Sequence, residues 1–513
     1  MKRSKRNWIT TSSFVTLAAA LALTGCSGGT PASTTGTTGN TDAPKTAVKQ
    51  PPVEISIMNS YNSAEPPVMD EPFMKAFESY THAKLKITWV PDSVYNDKIN
   101  ATMASGDLPD IIIPRALKAP SIINSARSDF FWEVGKYLKD YPNLNKINKV
   151  AYDNLSIDGK VYGIPRPRPL ARNGFTIRKD WLQTLNLKEP TTLDELYQVI
   201  KAFALNDPDK NGKNDTYGLV EAKGLSSFAS LLAFHGGPFG WKNEDGKLTP
   251  DFMTPEYMDT MKFYKRLFDE KLMNLDFAVT QASQRSNLVN QGKAGIYGGG
   301  AMDDVATKHV DFNKLNPNGI LDVFSRIKGP KGDRVISTTG NSGAFMIPKM
   351  SVKTEEKLKQ ILTFLDKSGD PAMVELFTWG VEGVHHKVEN GKKVKIDEGK
   401  FTNIVNIVGQ YQITDFIGQA VEGEKNEVII RYQKMMKDNE AVILVNPTST
   451  LISDTFTEVG SELGKIIEDA MTKYIMGKLD DAGWKQEIDK WKANGGDKVI
   501  AEYTADYKKI SKK

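Results

Sequence analysis

The chain has one cysteine in 513 residues, Cys26. A single thiol excludes a disulfide within the chain and any cysteine-built zinc or iron–sulfur centre. Apolar runs long enough to cross a bilayer, about 18 residues or more, are missing, which excludes an internal membrane-spanning helix. Excess charge is missing too. Lys and Arg total 67 against 63 Asp and Glu, and four of the cations (Lys2, Arg3, Lys5 and Arg6) fall in an acid-free stretch over residues 1–25. The other 63 cations equal the 63 acids. A body without a basic field argues against nucleic acid as the main partner. No repeat of fixed period occurs, so solenoids and propellers are excluded. From Val53 onward there is no Gly-x-Ser-x-Gly elbow, Walker A loop or His-Glu-x-x-His, and the whole chain has only five histidines. The common nucleophile, nucleotide and zinc-protease signatures are therefore absent.

What is present is an ordinary globular composition, 40% hydrophobic and 25% charged, in a chain long enough for two or more lobes. The N-terminus reads as an address. Met1–Asn7 is basic, Phe14–Leu23 is a short apolar core, and Leu23-Thr24-Gly25-Cys26 resembles a bacterial lipobox. Residues 1–25 are thus expected to be a secretory signal, cleaved before a Cys26 whose sulfur is acylated, for example with palmitate. An ordinary signal peptide with a stray cysteine is the alternative. Residues 26–50 are Gly, Ser, Thr, Pro and Ala with few large apolar side chains, too little to offset the entropy of ordering, so they read as a tether.

The body alternates two periodicities. Val53-Glu54-Ile55-Ser56-Ile57 and Leu85-Lys86-Ile87-Thr88-Trp89 repeat every second residue, as half-buried strands do, and Ile111-Ile112-Ile113 reads as a central strand buried on both faces. Phe73–Tyr80 and Val94–Ser105 read as helices. Thr192-Leu193-Asp194-Glu195 is a capping box opening a helix with Leu193, Leu196, Ile200 and Phe203 on one face. Leu358, Ile361, Leu362 and Leu365 mark another helix just after the apolar run Ala344–Ile347. Strand–helix alternation predicts α/β lobes with largely parallel sheets.

Several motifs occur in order: Ala104-Ser105-Gly106-Asp107-Leu108-Pro109-Asp110-Ile111, Asp158-Gly159-Lys160-Val161-Tyr162-Gly163-Ile164-Pro165, Ile177-Arg178-Lys179-Asp180-Trp181-Leu182, the Pro190–Leu196 helix start, and Gly380-Val381-Glu382-Gly383. The set resembles the family 1 extracellular solute-binding proteins of ABC importers, relatives of maltose-binding protein. It resembles most their long lipoprotein branch in Gram-positive bacteria, from about Val53 to the C-terminus. The resemblance implies a two-lobed periplasmic-binding-protein-like fold of type II, with a ligand cleft between lobes joined by crossing segments. It also implies an oligosaccharide ligand, an ABC-type permease partner, a monomer, and lipid anchoring at the outer face of the cell membrane. Lobe one is expected at 51–170 and 340–410, and lobe two at 171–339 and 411–513, with crossings at Pro165–Pro169, Thr338–Met346 and Ile407–Thr414.

A sugar site needs aromatic platforms and fixed polar groups. Trp89, Trp181, Trp484 and Trp491 fit packing roles. Trp132, Trp241 in the glycine-rich segment His235–Trp241, Trp379 with Glu382 beyond it, and Tyr297 before three glycines are the ligand-contact candidates. Arg166, Arg168 and Arg172 cluster on the first crossing, where guanidinium groups suit either the carboxylate of an acidic sugar or ion pairs with the lobes. Asp207-Pro208-Asp209-Lys210-Asn211-Gly212-Lys213-Asn214-Asp215 has the oxygen spacing of a calcium loop: Asp207, Asp209, Asn211, the Lys213 carbonyl and Asp215, with glycine sixth. The bidentate Glu at position twelve is missing, Gly218 standing there, and a plain turn rich in Asp and Asn is the alternative. His385-His386 reads as part of a surface hairpin turning at Asn390-Gly391. A binding protein rather than an enzyme is the favoured reading. A secreted glycosidase is the second, because carboxylate pairs cannot be located from sequence spacing. A peptide or metal receptor is the third.

Overall fold

Residues 51–510 are described by the computed structural model, apart from 62–64, 70, 398–400, 402–408 and 415–426. The leader, Cys26, the tether, and parts of the third crossing lie outside the described residues.

The period-two segments form strands and the apolar run sits among them. β1 (Val53–Tyr61), β2 (Ala83–Pro91), β3 (Ile111–Ile112), β4 (Gly163–Pro167) and β12 (Asn341–Met346) make one sheet in the order β2-β1-β3-β12-β4. Ile111 and Ile112 occupy its middle strand and are fully buried, as a run without polar alternation requires. Helices Pro72–Thr81, Tyr95–Ser105 and Glu355–Lys367 accompany this sheet, and Phe73, Phe77, Leu358, Ile361 and Leu365 enter one core with its strands.

A second sheet runs β10-β5-β9-β6, from β5 (Asn173–Arg178), β6 (Tyr217–Leu219), β9 (Ala294–Ala301) and β10 (Leu321–Phe324). Its core is separate. Trp181 and Phe203 meet edge to face at 5.4 Å, and Leu463, Trp484 and Trp491 join from C-terminal helices. A smaller cluster of Met302, Phe312, Val323, Tyr432 and Met436 lies around β10. Two sheets with two cores make two lobes, as the fold class anticipates.

The strand directions correct the parallel-sheet expectation. β1 runs parallel to β2 and β3, but β12 is antiparallel to β3 and β4, and β5 is antiparallel to both its neighbours. The reversals involve the strands that adjoin the crossings, where the chain changes lobe and returns. Tyr297-Gly298-Gly299-Gly300 is not an open glycine loop but part of strand β9. At Gly299, φ is +76° and an added Cβ would lie 2.0 Å from the Ser226 carbonyl oxygen, so glycine is required by close backbone approach. Phe130–Glu133 is not helical: Phe131 bridges to Pro348, and the next helical turn, a 3₁₀ turn, is Gly135–Asp140.

Local chemistry explains several boundaries. Asp158 and Gly159 both have positive φ, as in the hairpin turn Asp-Gly favours. Thr192 caps Leu193–Leu205 by accepting the Glu195 N–H at 3.2 Å. The returning arm of the box closes one residue early, with the Glu195 carboxylate accepting from Thr191 Oγ1 and N. Asn390-Gly391 joins β13 (His386–Glu389) to β14 (Lys392–Lys395), which gives the expected hairpin. His385 and His386 are nevertheless buried at its base rather than on the surface.

The crossing segments run side by side. Arg168 donates its N–H to the Gly340 carbonyl at 2.9 Å, and Thr338 donates N–H to the Leu170 carbonyl and Oγ1–H to the Pro169 carbonyl. Next to them β11 (Val335–Ile336) pairs in parallel with β15 (Ile443–Leu444).

Candidate ligand cleft

A cavity of about 660 Å³ lies where the two cores face each other across the crossings. One wall comes from the segment Arg115–Pro120 and Asn154, which belong with the first sheet. The floor is the start of β12. Its pairing with β4 is irregular between Asn341 and Ala344, and this bulge presents Asn341 and Ser342 to the cavity. Gly343 permits it: φ is +95°, and a Cβ there would sit 2.7 Å from the Pro114 carbonyl oxygen. Asn154 fixes the floor from the side by donating to the Thr339 carbonyl at 3.0 Å.

The opposite wall is the N-terminal turn of helix Asp454–Ile475 with Tyr503 from the last helix. Ser453 caps the turn by accepting the Phe456 N–H at 2.9 Å. Glu502 secures the same turn, accepting from Ser453 Oγ at 2.6 Å and from Thr455 Oγ1 and N at 2.8 and 3.0 Å. Burial would raise the Glu502 pKa, but these hydrogen bonds outweigh it and hold the carboxyl below its ordinary range.

So held, Phe456 is 45% exposed and lines the cavity. It stands 5.9 Å from Tyr503, and Tyr503 meets Trp241 edge to face at 5.2 Å. Phe456 also borders a second cavity of about 440 Å³, lined by Trp241, Phe252, Tyr257, Trp491 and Asp251. Burial pushes the Asp251 carboxyl up to about 7, against backbone N–H groups of Phe252 and Gly240 that favour its ionised form. The result is a row of aromatic faces beside a lining rich in Ser, Thr and Asn, which matches the two surfaces of a sugar ring.

The charged lining of the main cavity is one-sided. Among the described residues Arg115 and Lys118 line it and no Asp or Glu does. Arg115 is engaged by Asp92 at 2.6 Å and donates to Ser60 Oγ at 2.7 Å. Across the two walls, Arg127 holds Asp158 of its own lobe through Nε at 2.9 Å and Asp454 of the other through Nη1 at 2.9 Å.

Of the residues singled out from sequence, only Trp241 borders these cavities, in the second one and in a third of about 280 Å³. Arg166 is a correction. It is 2% exposed, donates to the carbonyl and side-chain oxygens of Gln410, and has its pKa drawn down to about 10 by burial and by nearby Arg115. Arg168 shares the Gln410 side-chain oxygen at 2.6 Å, and Arg172 forms a two-pronged pair with Asp303. Arg166 and Arg168 thus tie the first crossing to Gln410 of the third, while Arg172 is held by Asp303. Trp379 and Tyr297 are also corrections, since both are buried: Trp379 closes an apolar helix, Pro371–Trp379, and Tyr297 packs in the second sheet. Trp132 is half-buried, donates its indole N–H to the Val352 carbonyl and carries Lys349 over its ring, while Glu382 is exposed near the β13 hairpin. Phe456 and Lys118 were missed. The available signals were an aromatic in the first turn of a capped helix and a cation before Ala119-Pro120.

In the Asp207–Asp215 segment, Asp207 accepts from the N–H groups of Asn211 and Gly212, and the Asn211 amide donates to Asp209 and Asp215. Burial, followed by proximity to Asp207 and Asp215, raises the Asp209 pKa. The donors are hard oxygens and suit calcium in kind. Among the described residues, however, no three His, Cys, Asp or Glu are gathered as a metal set, and the Asn211 amide bridges two of the loop's carboxylates.

Two α/β lobes, adjacent crossings and an aromatic-walled cleft between them define a binding protein of the two-lobed solute-capturing class. Residues 62–369 match the bacterial extracellular solute-binding proteins, and the chain belongs to that family. It is 42% identical to the polygalacturonan/rhamnogalacturonan-binding protein YtcQ of Bacillus subtilis strain 168, over 89% of this chain and 91% of that one. It is 38% identical to lipoprotein LipO of the same strain, over 87% and 91%. The fold is similar to that of the Streptococcus pneumoniae ABC-transporter substrate-binding protein FusA in complex with kestose. There the TM-score is 0.66, with 18% identity over 89% of this chain and 99% of that one.

Proposed function

We propose that this chain captures an oligosaccharide in the cleft between its lobes, at the outer face of a cell membrane, and hands it unaltered to an ABC-type importer. The observation that carries the reading is the exposed Phe456 beside Tyr503, set against a wall of neutral hydrogen-bonding side chains. The names of YtcQ, a polygalacturonan/rhamnogalacturonan-binding protein, and FusA, an ABC-transporter substrate-binding protein, support a sugar and a permease as partners. The lipobox at Cys26 and the relative named as a lipoprotein support an acyl anchor. The chain is read as a monomer.

Titration calorimetry with pectic oligosaccharides, followed by chromatography of the mixture, tests this. One molecule per chain is expected, recovered intact, and a ligand at a hundred times its dissociation constant should add about 2.7 kcal/mol of apparent stability. Turnover of the bound sugar would make the protein a glycosidase instead.

Calcium in the Asp207–Asp215 loop is part of the same proposal. Burial, and after it the neighbouring carboxylates, raise the Asp209 pKa, and Lys293 lies 3.6 Å from Asp215. An ion there would take oxygens from Asp207, Asp209, Asn211, the Lys213 carbonyl and Asp215, displacing the Asn211 amide N–H contacts. Chelation is expected to lower the melting temperature, and Asp209→Ala to remove that sensitivity. An unchanged melting curve on chelation would leave the loop as a turn.

A further inference from the structure

Lys118 is the charged group of the cleft that the fold itself leaves incompletely answered. Its ammonium donates to the Ser156 carbonyl oxygen, which accounts for one of its three N–H donors, and it has no ion-pair partner among the described residues. Two carboxylates act on it from a distance, and each is already engaged. Asp158, on the turn that follows helix Lys149–Leu155, is held by both Nε and Nη2 of Arg127 at 2.9 and 3.2 Å. Asp506, on the last helix, accepts the Ile452 N–H at 3.1 Å. The other cation of the lining, Arg115, is answered by Asp92. Among the described residues no acid lines the cavity, so a neutral sugar would leave the half-buried ammonium short of a counter-charge. An anionic group on the ligand would supply it through charge-assisted hydrogen bonds.

We propose that Lys118 is the specificity-determining residue of the cleft, receiving a carboxylate of an acidic oligosaccharide, with a uronic-acid unit placed between it and Phe456. This rests on the reading of the cleft as an oligosaccharide site and names the ligand's chemical class. Burial pulls the Lys118 pKa down to about 8, with Asp158 and Asp506 opposing. The ammonium is therefore charged at neutral pH and loses its proton as pH rises through that value, whereas a uronate stays ionised throughout.

The test is calorimetry with trigalacturonic acid and with its fully methyl-esterified form, which keeps the hydroxyl pattern and removes the charge. Wild-type protein should bind the acid at least tenfold more tightly at pH 6.5, and the preference should shrink as pH passes from 7 to 9. Lys118→Gln should cut the acid-to-ester ratio by tenfold or more, and Lys118→Arg should retain most of it. Should Lys118→Gln fail to fold, the wild-type pH profile and Lys118→Arg still decide the matter. Equal binding of acid and ester overturns the role of Lys118 while leaving an oligosaccharide site standing. An unchanged ratio in a folded Lys118→Gln, or a preference that does not move with pH, overturns it as well. Binding of neither probe overturns both readings.

Discussion

Phe456→Ala should weaken oligosaccharide binding by about 1–3 kcal/mol, by analogy with the loss of an aromatic platform under a nucleic-acid base. That is a rise in dissociation constant of roughly 5- to 150-fold. The ring is 45% exposed, so its loss leaves no core cavity, and the melting temperature of the unliganded protein should stay close to wild type. The helix turn survives because its cap, Ser453, and its support, Glu502, do not depend on the ring. Calorimetry paired with thermal melting separates the two effects. A lowered melting temperature at unchanged affinity would make Phe456 a packing residue.

Gly343→Val should act the opposite way, on the scaffold first. A residue with a side chain at φ +95° carries about 1–3 kcal/mol of backbone strain, and a Cβ 2.7 Å from the Pro114 carbonyl oxygen adds overpacking of about 1–3 kcal/mol. Pro114 leads directly into the wall that bears Arg115 and Lys118, so relief of the clash must shift that wall or straighten the bulge at Asn341. Loss of melting temperature together with loss of ligand affinity is expected, and circular dichroism melts with calorimetry read both. A variant as stable as wild type with an intact affinity would show that the bulge is not needed to shape the floor.

The contrast between these two positions shows what could be read from sequence. β1, β2 and β3 were legible because period two and an unbroken isoleucine run are local consequences of which faces are buried. Helix Leu193–Leu205 was legible because Thr192 and Glu195 sit three residues apart, although the glutamate closes on Thr191 instead. The proline-spaced crossing was legible, but the fate of its arginines was not. Gln410, which engages Arg166 and Arg168, lies more than 240 positions further along the chain.

The site was the least legible part, for the same reason. Tryptophans near glycines drew attention, yet Trp379 ends an apolar helix and is buried, while the exposed aromatic that lines the cavity is a phenylalanine in an ordinary capped turn. Lys118 is one of many lysines, and nothing local separates it. What separates it is the company of Asp158 and Asp506, both held by other groups, and that arrangement exists only once residues 118, 158 and 506 are brought together by the fold.

The most direct test of the central claim is a crystal structure of the protein grown with trigalacturonic acid. The account predicts the sugar in the cleft above Asn341 and Ser342, a ring face against Phe456, and a carboxylate within hydrogen-bond distance of Lys118 Nζ. A sugar bound elsewhere on the molecule, with the space between Phe456 and Lys118 filled by solvent, would contradict it.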